Sequence, residues 1–411
     1  MCSFICTTKE FNDLTNLKSV HRGPDHSEKC SVDGFNIIHN LLDISQHNLI
    51  QPVIDGNIIL LYNGEIYDPC DPCDTNLIIP LYKKYGHSFV EHLNGEYAIA
   101  IIDKQNVFLY ADVFATKPLF YSINGDDIGI ASYASELVNL KFTNIIRVEP
   151  STYVQIKLSD LSITNFKHSA FDLTEYKTSY DDCILAFENA CNLRCNDKTA
   201  VGLSSGHDSG SIMQWCLDNN TSTKFFYVFT NREDNNIMDH RLNICDKNNI
   251  SHNTINYYDK RAIYDHYEKR VLSNVMEEYE FYKSEVSTLM LSKMLRTIKR
   301  HGYSIFIAGQ GADEIVSNYH EDSAFFVNLQ LQFPWENFFN GDNRLFIDQY
   351  EYIGGVYGVE VRYPFLDKVF VQEFLHLTKE MKNKFYKSVI AEYLNRNNMP
   401  TKDIKVGFSM S

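Results

Sequence analysis

Nothing in this 411-residue chain approaches the ~20 consecutive apolar residues that span a bilayer, so no membrane attachment is expected. Positive charge is also scarce. Lys and Arg number 38 against 53 Asp and Glu, a formal net charge of −15, and no basic cluster offsets it. Such a surface repels a phosphate backbone, which makes nucleic acid an unexpected partner and requires any bound phosphate to be held by local groups. The start, Met1-Cys2-Ser3-Phe4-Ile5-Cys6, lacks the basic opening and the longer apolar core of a secretory signal, so a cytoplasmic location is expected. The ten cysteines follow no framework of regular spacings, which in a chain of this size favours reduced thiols. Cys70 and Cys73 form one C-x-x-C, but no second pair at zinc-finger spacing accompanies it. Internal repeats and low-complexity segments are missing too, as is a Walker-type Gly-Lys-Ser/Thr.

What is present is a globular composition, 44% hydrophobic and 22% charged, on a chain long enough for two or three domains at roughly 150 residues each. Up to about residue 165, short β-rich runs such as Asn57 to Tyr62, Tyr97 to Ile102, Val107 to Tyr110 and Tyr153 to Lys157 alternate with Gly, Asn and Asp turns, the pattern of antiparallel sheets. One helix-like stretch, Asn76 to Tyr85, interrupts them. Beyond about residue 175, helix-like segments (Asp181 to Arg194, Ser284 to Arg300) are separated by buried-strand runs (Ala200 to Leu203, Phe225 to Phe229, Ser304 to Ile307), which reads as α/β. The expected organisation is one domain over 2–160, a polar connector over 161–178 and a second domain over 179–411.

Removal of Met1 would make Cys2 the first residue, placing a thiol beside an α-amine whose reference pKa of ~7.7 to 8.0 suits proton exchange near neutrality. Four further segments keep it company: Arg22-Gly23-Pro24-Asp25, Tyr62-Asn63-Gly64-Glu65-Ile66-Tyr67, Leu93-Asn94-Gly95-Glu96-Tyr97-Ala98 and Lys117-Pro118-Leu119-Phe120-Tyr121. In this order they resemble the class II glutamine amidotransferase domain of asparagine synthetases, an N-terminal-nucleophile αββα sandwich. The resemblance implies that Cys2 attacks the side-chain amide of glutamine. It further implies that Asn63 and the Gly64 backbone N–H stabilise the oxyanion, while Glu65 and Asp74 hold the amino acid's polar groups. Where that family has an Arg gripping the glutamine carboxylate, in a motif like His-x-Arg-Leu, this chain reads His39-Asn40-Leu41-Leu42; Ala111 and Ala115 likewise replace an Arg and a Gly.

In the second half, Thr199 to Leu203 reads as a buried strand, Ser204-Ser205-Gly206-His207-Asp208-Ser209 follows, and a helix is expected from Gly210 to Leu217. Small residues between a strand and a helix let backbone N–H groups and hydroxyls converge on an anion. The segment resembles the S-G-G-x-D-S pyrophosphate loop of ATP-pyrophosphatases, whose fold is a parallel sheet flanked by helices, with Ser205 in place of the first Gly. Ala308-Gly309-Gln310-Gly311-Ala312-Asp313-Glu314 and Glu360-Val361-Arg362-Tyr363-Pro364-Phe365-Leu366-Asp367 resemble asparagine synthetase signatures, and Lys405-Val406-Gly407-Phe408 resembles the segment carrying that family's catalytic lysine. The resemblance implies ATP bound by Leu203, Ser204, Ser205, Gly206, Asp208, Ser209, Gly309 and Gln310. It also implies Mg²⁺ held by Asp208 and Asp313, and Lys405 stabilising charge at the α-phosphate.

The function so implied is a glutamine-dependent amidotransferase that adenylates a small carboxylate, releases AMP and pyrophosphate, and forms an amide. Aspartate is the default acceptor, and a homodimer is expected on the resemblance alone. Two departures bear on the acceptor. Gln310 stands where those enzymes often have a Glu, and Gln349 stands near the place of an expected Arg. The alternative is a ligase using another amine or free ammonia with a different carboxylate, as lasso-peptide cyclases and β-lactam synthetases do. Those relatives tend to lose the terminal Cys, so Cys2 favours the first reading.

Overall fold

The computed structural model describes residues 2–10, 17–47, 49–69, 71–219, 221–229, 233–256, 286–317, 333–384 and 386–401. They fall into two compact units. One holds the chain up to Ala170 together with Glu351–Val359, and the other holds the remaining described residues.

The first unit is built from strands whose alternation buries both faces. Its elements are β1 (Ser3–Thr7), β2 (His26–Val32), β3 (Phe35–Leu41), β4 (Val53–Asp55), β5 (Ile58–Asp68), α1 (Thr75–Tyr85), β6 (Asn94–Asp103) and β7 (Asn106–Ala111). They continue with β8 (Phe120–Asn124), β9 (Asp127–Ala131), α2 (Ala134–Asn139), β10 (Ile146–Arg147), β11 (Thr152–Lys157) and β12 (Ile163–Lys167). Two six-stranded antiparallel sheets result, ordered β10-β8-β9-β1-β3-β2 and β12-β11-β7-β6-β5-β4. Because side chains alternate along a strand, one set of residues fills the space between the sheets: Phe4 and Cys6 of β1 meet Ile59 and Leu61 of β5 and Ala98 and Ala100 of β6. The opposite face of the second sheet packs Leu60, Tyr97 and Ile99 against Ile78, Ile79 and Tyr82 of α1. The opposite face of the first packs Ile5 and Ala131 against Ala134 and Leu137 of α2. The order of layers is helix, sheet, sheet, helix, the αββα sandwich expected of an N-terminal-nucleophile fold.

Strand β12 lies inside the stretch expected to be a polar connector. It pairs with β11 from Thr152↔Lys167 to Ile156↔Ile163, yet all five of its residues are exposed, so no hydrophobic alternation marked it.

The second unit contains a five-stranded parallel sheet, β13 (Thr199–Leu203), β14 (Lys224–Phe229), β15 (His252–Asn256), β16 (Ile305–Ile307) and β17 (Glu360–Arg362), in the order β15-β14-β13-β16-β17. Helices α3 (Asp181–Arg194), α4 (His207–Asp218), α5 (Asn235–Lys247) and α6 (Val286–Arg300) connect or flank these strands. The chain leaves β13 for β14 on one side and returns to β16 on the other. The carboxyl ends of β13 and β16 therefore border a switch point, where open α/β sheets take their ligands. Among the described residues no helix is long and apolar enough to cross a membrane, and none of the described cysteines is in a disulfide.

His39 lies fully buried between the sheets opposite Phe4, and neither ring nitrogen has a hydrogen-bond partner among the described residues. Burial, with a smaller contribution from the charge of His26, pushes its pKa from 6.5 down to about 3. The unfolded chain binds a proton that the folded one refuses, so His39 supports the fold fully above pH 6.5 and loses that support as pH falls towards 3. Urea unfolding of the wild type should lose about 2 kcal/mol more stability than His39→Leu between pH 7 and pH 5; equal losses would contradict the buried neutral imidazole.

Candidate functional site

The first cluster forms where the two sheets of the first unit face one another. Alternation along β5 puts Ile59, Leu61 and Asn63 on the inter-sheet side, and the same logic puts Cys2 in line with Phe4 and Cys6 ahead of β1. The Cys2 backbone N–H donates to Asn63 Oδ1 at 2.9 Å. Asn63 is fully buried, and its Nδ2, on the same amide as the oxygen that accepts from Cys2, has no partner among the described residues. Gly64 follows at φ +155, where a Cβ would sit 2.2 Å from the Glu96 carbonyl oxygen, so no other residue fits this close approach of β5 and β6. Glu65 pairs in register with Glu96. Asp74 accepts from the Ile66 N–H at 2.9 Å and from the Tyr62 hydroxyl, which anchors the start of α1 to β5.

A buried charge network stands behind Cys2. Arg22 Nε donates to the Cys2 carbonyl at 2.9 Å, and Arg22 Nη2 pairs with Glu351. Lys117 Nζ lies 2.8 Å from Glu351 Oε1 and 3.4 Å from Glu96 Oε2. Burial alone would raise the Glu351 pKa, but the Lys117 and Arg22 charges outweigh it and hold the carboxyl below its usual value. Asp112, accepting from the N–H groups of Tyr97, Phe114 and Thr116, shapes the turn that delivers Lys117. Within that turn Ala115 adopts φ +48, a left-handed conformation a glycine would take more cheaply. Leu41, in the expected arginine's place, is buried. Register places it next to His26 on β2, and, one step beyond the Ser3↔Asn40 pair, level with Cys2.

The second cluster gathers at the carboxyl ends of β13 and β16. Helix α4 begins at His207, earlier than the expected Gly210, because the turn is confined to Ser204–Gly206; Asp208 and Ser209 thus occupy its first turn, where a carboxylate is favoured. Leu203 is buried at the end of β13. The Ser204 N–H donates to Ser209 Oγ at 3.0 Å and the Gly206 N–H to Ser204 Oγ at 3.2 Å. After β16, Gly309 passes so close to Asp208 that a Cβ would fall 2.8 Å from that residue's own Cβ. Gln310 is buried beside Glu314. Glu314 is fully buried and accepts from the Gly311 N–H at 2.9 Å; burial, then the neighbouring Asp313, raise its pKa.

Lys387 joins these segments, and sequence reasoning missed it. Its Nζ lies 2.6 and 2.7 Å from the two oxygens of Asp208 and 2.8 Å from Asp313 Oδ1, while the Tyr386 hydroxyl donates to Asp313 Oδ1 at 3.2 Å. The lysine is 3% exposed. Burial works against its charge, but Asp208 and Asp313 prevail and hold its pKa above the ordinary lysine value. It is seated at φ +50 ahead of helix Ser388–Arg396, a strained left-handed conformation that the ion pairs offset. Lys405 lies outside the described residues, as does Cys70. Among the described residues no group of three or more His, Cys, Asp and Glu could hold a metal alone. Two carboxylates sharing one cation do fit a metal that takes its remaining ligands from phosphate and water. Glu360 and Arg362 pair with each other at 2.7 Å, and Arg362 Nη1 donates to the Arg194 carbonyl at 3.0 Å, a structural tie between β17 and α3.

Fold and clusters together define a two-part chain: an αββα sandwich with Cys2 and Asn63 between its sheets, and a parallel sheet whose strand ends carry a Ser- and Gly-rich turn and a carboxylate pair. Residues 1–171 match the glutamine amidotransferase domain family, and residues 185–352 match the asparagine synthase family. The chain is 25% identical over 459 residues to the glutamine-hydrolysing asparagine synthetase of Bos taurus and 24% identical over 460 residues to that of Homo sapiens, in each case across 95% of this chain and 79% of the relative. Among solved structures, glutamine phosphoribosylpyrophosphate amidotransferase from B. subtilis is similar at TM-score 0.30 and 12% identity, covering 67% of each chain, a likeness too faint to carry an inference. The chain belongs to the asparagine synthetase family, and it is a ligase that uses glutamine as amide donor in an ATP-dependent amidation.

Substituting Gly64 by Ala should abolish glutamine-dependent product formation while leaving ammonia-dependent AMP formation within about twofold of wild type. Retention of glutaminase activity by the purified variant would show that Gly64 does not shape the oxyanion site.

Proposed function

We propose that the chain makes an amide in two coupled reactions, glutamine hydrolysis in residues 2–160 and carboxylate adenylation in residues 179–411, with 161–178 between them. On removal of Met1 the Cys2 amine takes the thiol proton, and the thiolate attacks the glutamine side-chain carbonyl. Asn63 Nδ2 and the Gly64 N–H receive the oxyanion, Glu65 and Asp74 hold the amino acid's polar groups, and ammonia leaves. A reduced thiol nucleophile suits the cytoplasm.

In the second reaction the Ser204–Ser209 segment, with Leu203, Gly309 and Gln310, holds ATP, and the acceptor carboxylate attacks the α-phosphorus. Pyrophosphate departs, ammonia attacks the acyl-adenylate, and AMP is released. Lys387 offsets the negative charge that grows at the α-phosphate and at the tetrahedral carbon. Asp208 and Asp313 would hold Mg²⁺, which, when bound, neutralises phosphate charge. The observation that carries this reading is the convergence of Asp208, from the loop helix, and Asp313, from the turn after β16, on one buried cation.

Aspartate is the default acceptor. A second reading, with a different carboxylate or with free ammonia, draws support from Leu41 and from Gln349, whose amide donates to Thr288 Oγ1 at 2.8 Å.

Cys2→Ala should lose glutamine-driven AMP release and keep the ammonium-driven reaction, whereas Lys387→Met should lower both by about a thousandfold, measured by mass spectrometry of AMP. Unchanged AMP release from Lys387→Met would remove that residue from the chemistry.

A further inference from the structure

Beneath the Ser204–Gly206 turn lies a cation that the reaction described above leaves without a task. Arg241, on α5, is completely buried. Its Nη1 donates to the Ser204 carbonyl and, at 2.9 Å, to the Gly206 carbonyl, while Nε and Nη2 have no hydrogen-bond partner among the described residues. Burial lowers its pKa to about 10, with Glu233 and Asp208 opposing the fall, so it remains a cation at neutral pH. The helix above makes room for it at Gly210, where a Cβ would meet Nη2 at 2.3 Å and Cζ at 2.7 Å. A glycine inside a helix costs about 1 kcal/mol relative to alanine, and here it opens the space the guanidinium fills.

A trans peptide unit points its carbonyl and its N–H in opposite directions. With the Ser204 and Gly206 carbonyls turned onto Arg241, the N–H groups of Ser205 and His207 must face away from it. The structure shows what one of them faces. Both the Ser205 N–H and the Ser205 hydroxyl donate to Glu233 Oε2, each at 2.6 Å. A carboxylate oxygen that collects a backbone N–H and a hydroxyl from this turn is an internal stand-in for a phosphate oxygen. Glu233 is set there by the start of α5, where the Asp234 side chain caps the helix and the Asp234 N–H donates to Ser205 Oγ at 3.1 Å.

We propose that Arg241 is the positioning residue of the pyrophosphate cradle. It pins the Ser204–Ser205 and Gly206–His207 peptide planes with their N–H groups presented to the triphosphate, and Glu233 occupies that cradle until a phosphate oxygen displaces it. The proposal rests on the adenylating role given above and adds the group that shapes its loop, together with an internal anion that competes with ATP.

The test uses full-length enzyme, with KM for ATP and inhibition by pyrophosphate measured in ammonium-driven AMP formation, and glutaminase activity followed as a report on the rest of the fold. Alanine is the better helix former, so Gly210→Ala keeps α4 while its methyl displaces the guanidinium; Arg241→Met removes the charge directly. In both, KM for ATP and the pyrophosphate inhibition constant should rise about tenfold or more, and kcat at saturating ATP should fall far less than kcat/KM. Arg241→Lys should recover part of the loss, and Glu233→Gln should lower KM for ATP by weakening the internal competitor. Wild-type ATP and pyrophosphate constants in Gly210→Ala and Arg241→Met overturn the proposal, as does a fall in kcat with KM unchanged. A wild-type enzyme that cleaves ATP only to ADP overturns the adenylation reading itself, a result distinct from unaltered variants.

Discussion

The ammonium of Lys387, held between Asp208 and Asp313, is the interaction on which the synthetic half of this protein turns. Three separate stretches of chain meet in it: the first turn of α4, the turn after β16, and the residues ahead of helix Ser388–Arg396. Burying three charges is expensive, and an isolated buried ion pair is weak evidence for stability. Here the cost has a chemical return. In the proposed reaction, two carboxylates around one ammonium leave a net negative site for a second cation, and the ammonium offsets the charge that gathers at the attacked phosphorus. The local strain at Lys387 and the close passage of Gly309 over Asp208 are consequences of bringing these groups together.

The hydrolytic half follows the same logic with a different instrument. Cys2, the proposed nucleophile, precedes the first strand, where a chain would ordinarily fray, and it is tied at both backbone polar groups, the N–H to Asn63 and the carbonyl to Arg22. Arg22 can hold that carbonyl rigidly because Glu351 neutralises it in the interior, and Lys117 and Glu96 complete the balance. A buried cation thus holds a backbone carbonyl in both halves, Arg22 at Cys2 and Arg241 beneath the Ser204–Gly206 turn.

Much of this was legible in the sequence where side-chain period and turn chemistry act locally. The alternation of β5 puts Asn63 on an inner face, and the nearly continuous apolar run of β6 reflects burial on both sides. The small residues after β13 mark the tight turn proposed to take the phosphates. What could not be read there depends on contacts distant in sequence. Lys387 follows Tyr386 and precedes an amphipathic helix, with no motif around it, and only the tertiary structure brings it to two aspartates 179 and 74 residues earlier. Arg241 sits among polar residues of α5 and reads as part of a solvated face until Gly210 is seen to make room for it. Strand β12 forms because an edge was open to pair, not because its own residues demanded burial.

Following oxygen through the reaction tests carboxylate adenylation most directly. Aspartate labelled with ¹⁸O in its carboxylates is turned over with ATP, Mg²⁺ and ammonium, and the nucleotide products are read by mass spectrometry. Adenylation predicts one labelled oxygen in AMP, with unlabelled pyrophosphate. Label in inorganic phosphate accompanied by ADP, or AMP without label, would contradict it.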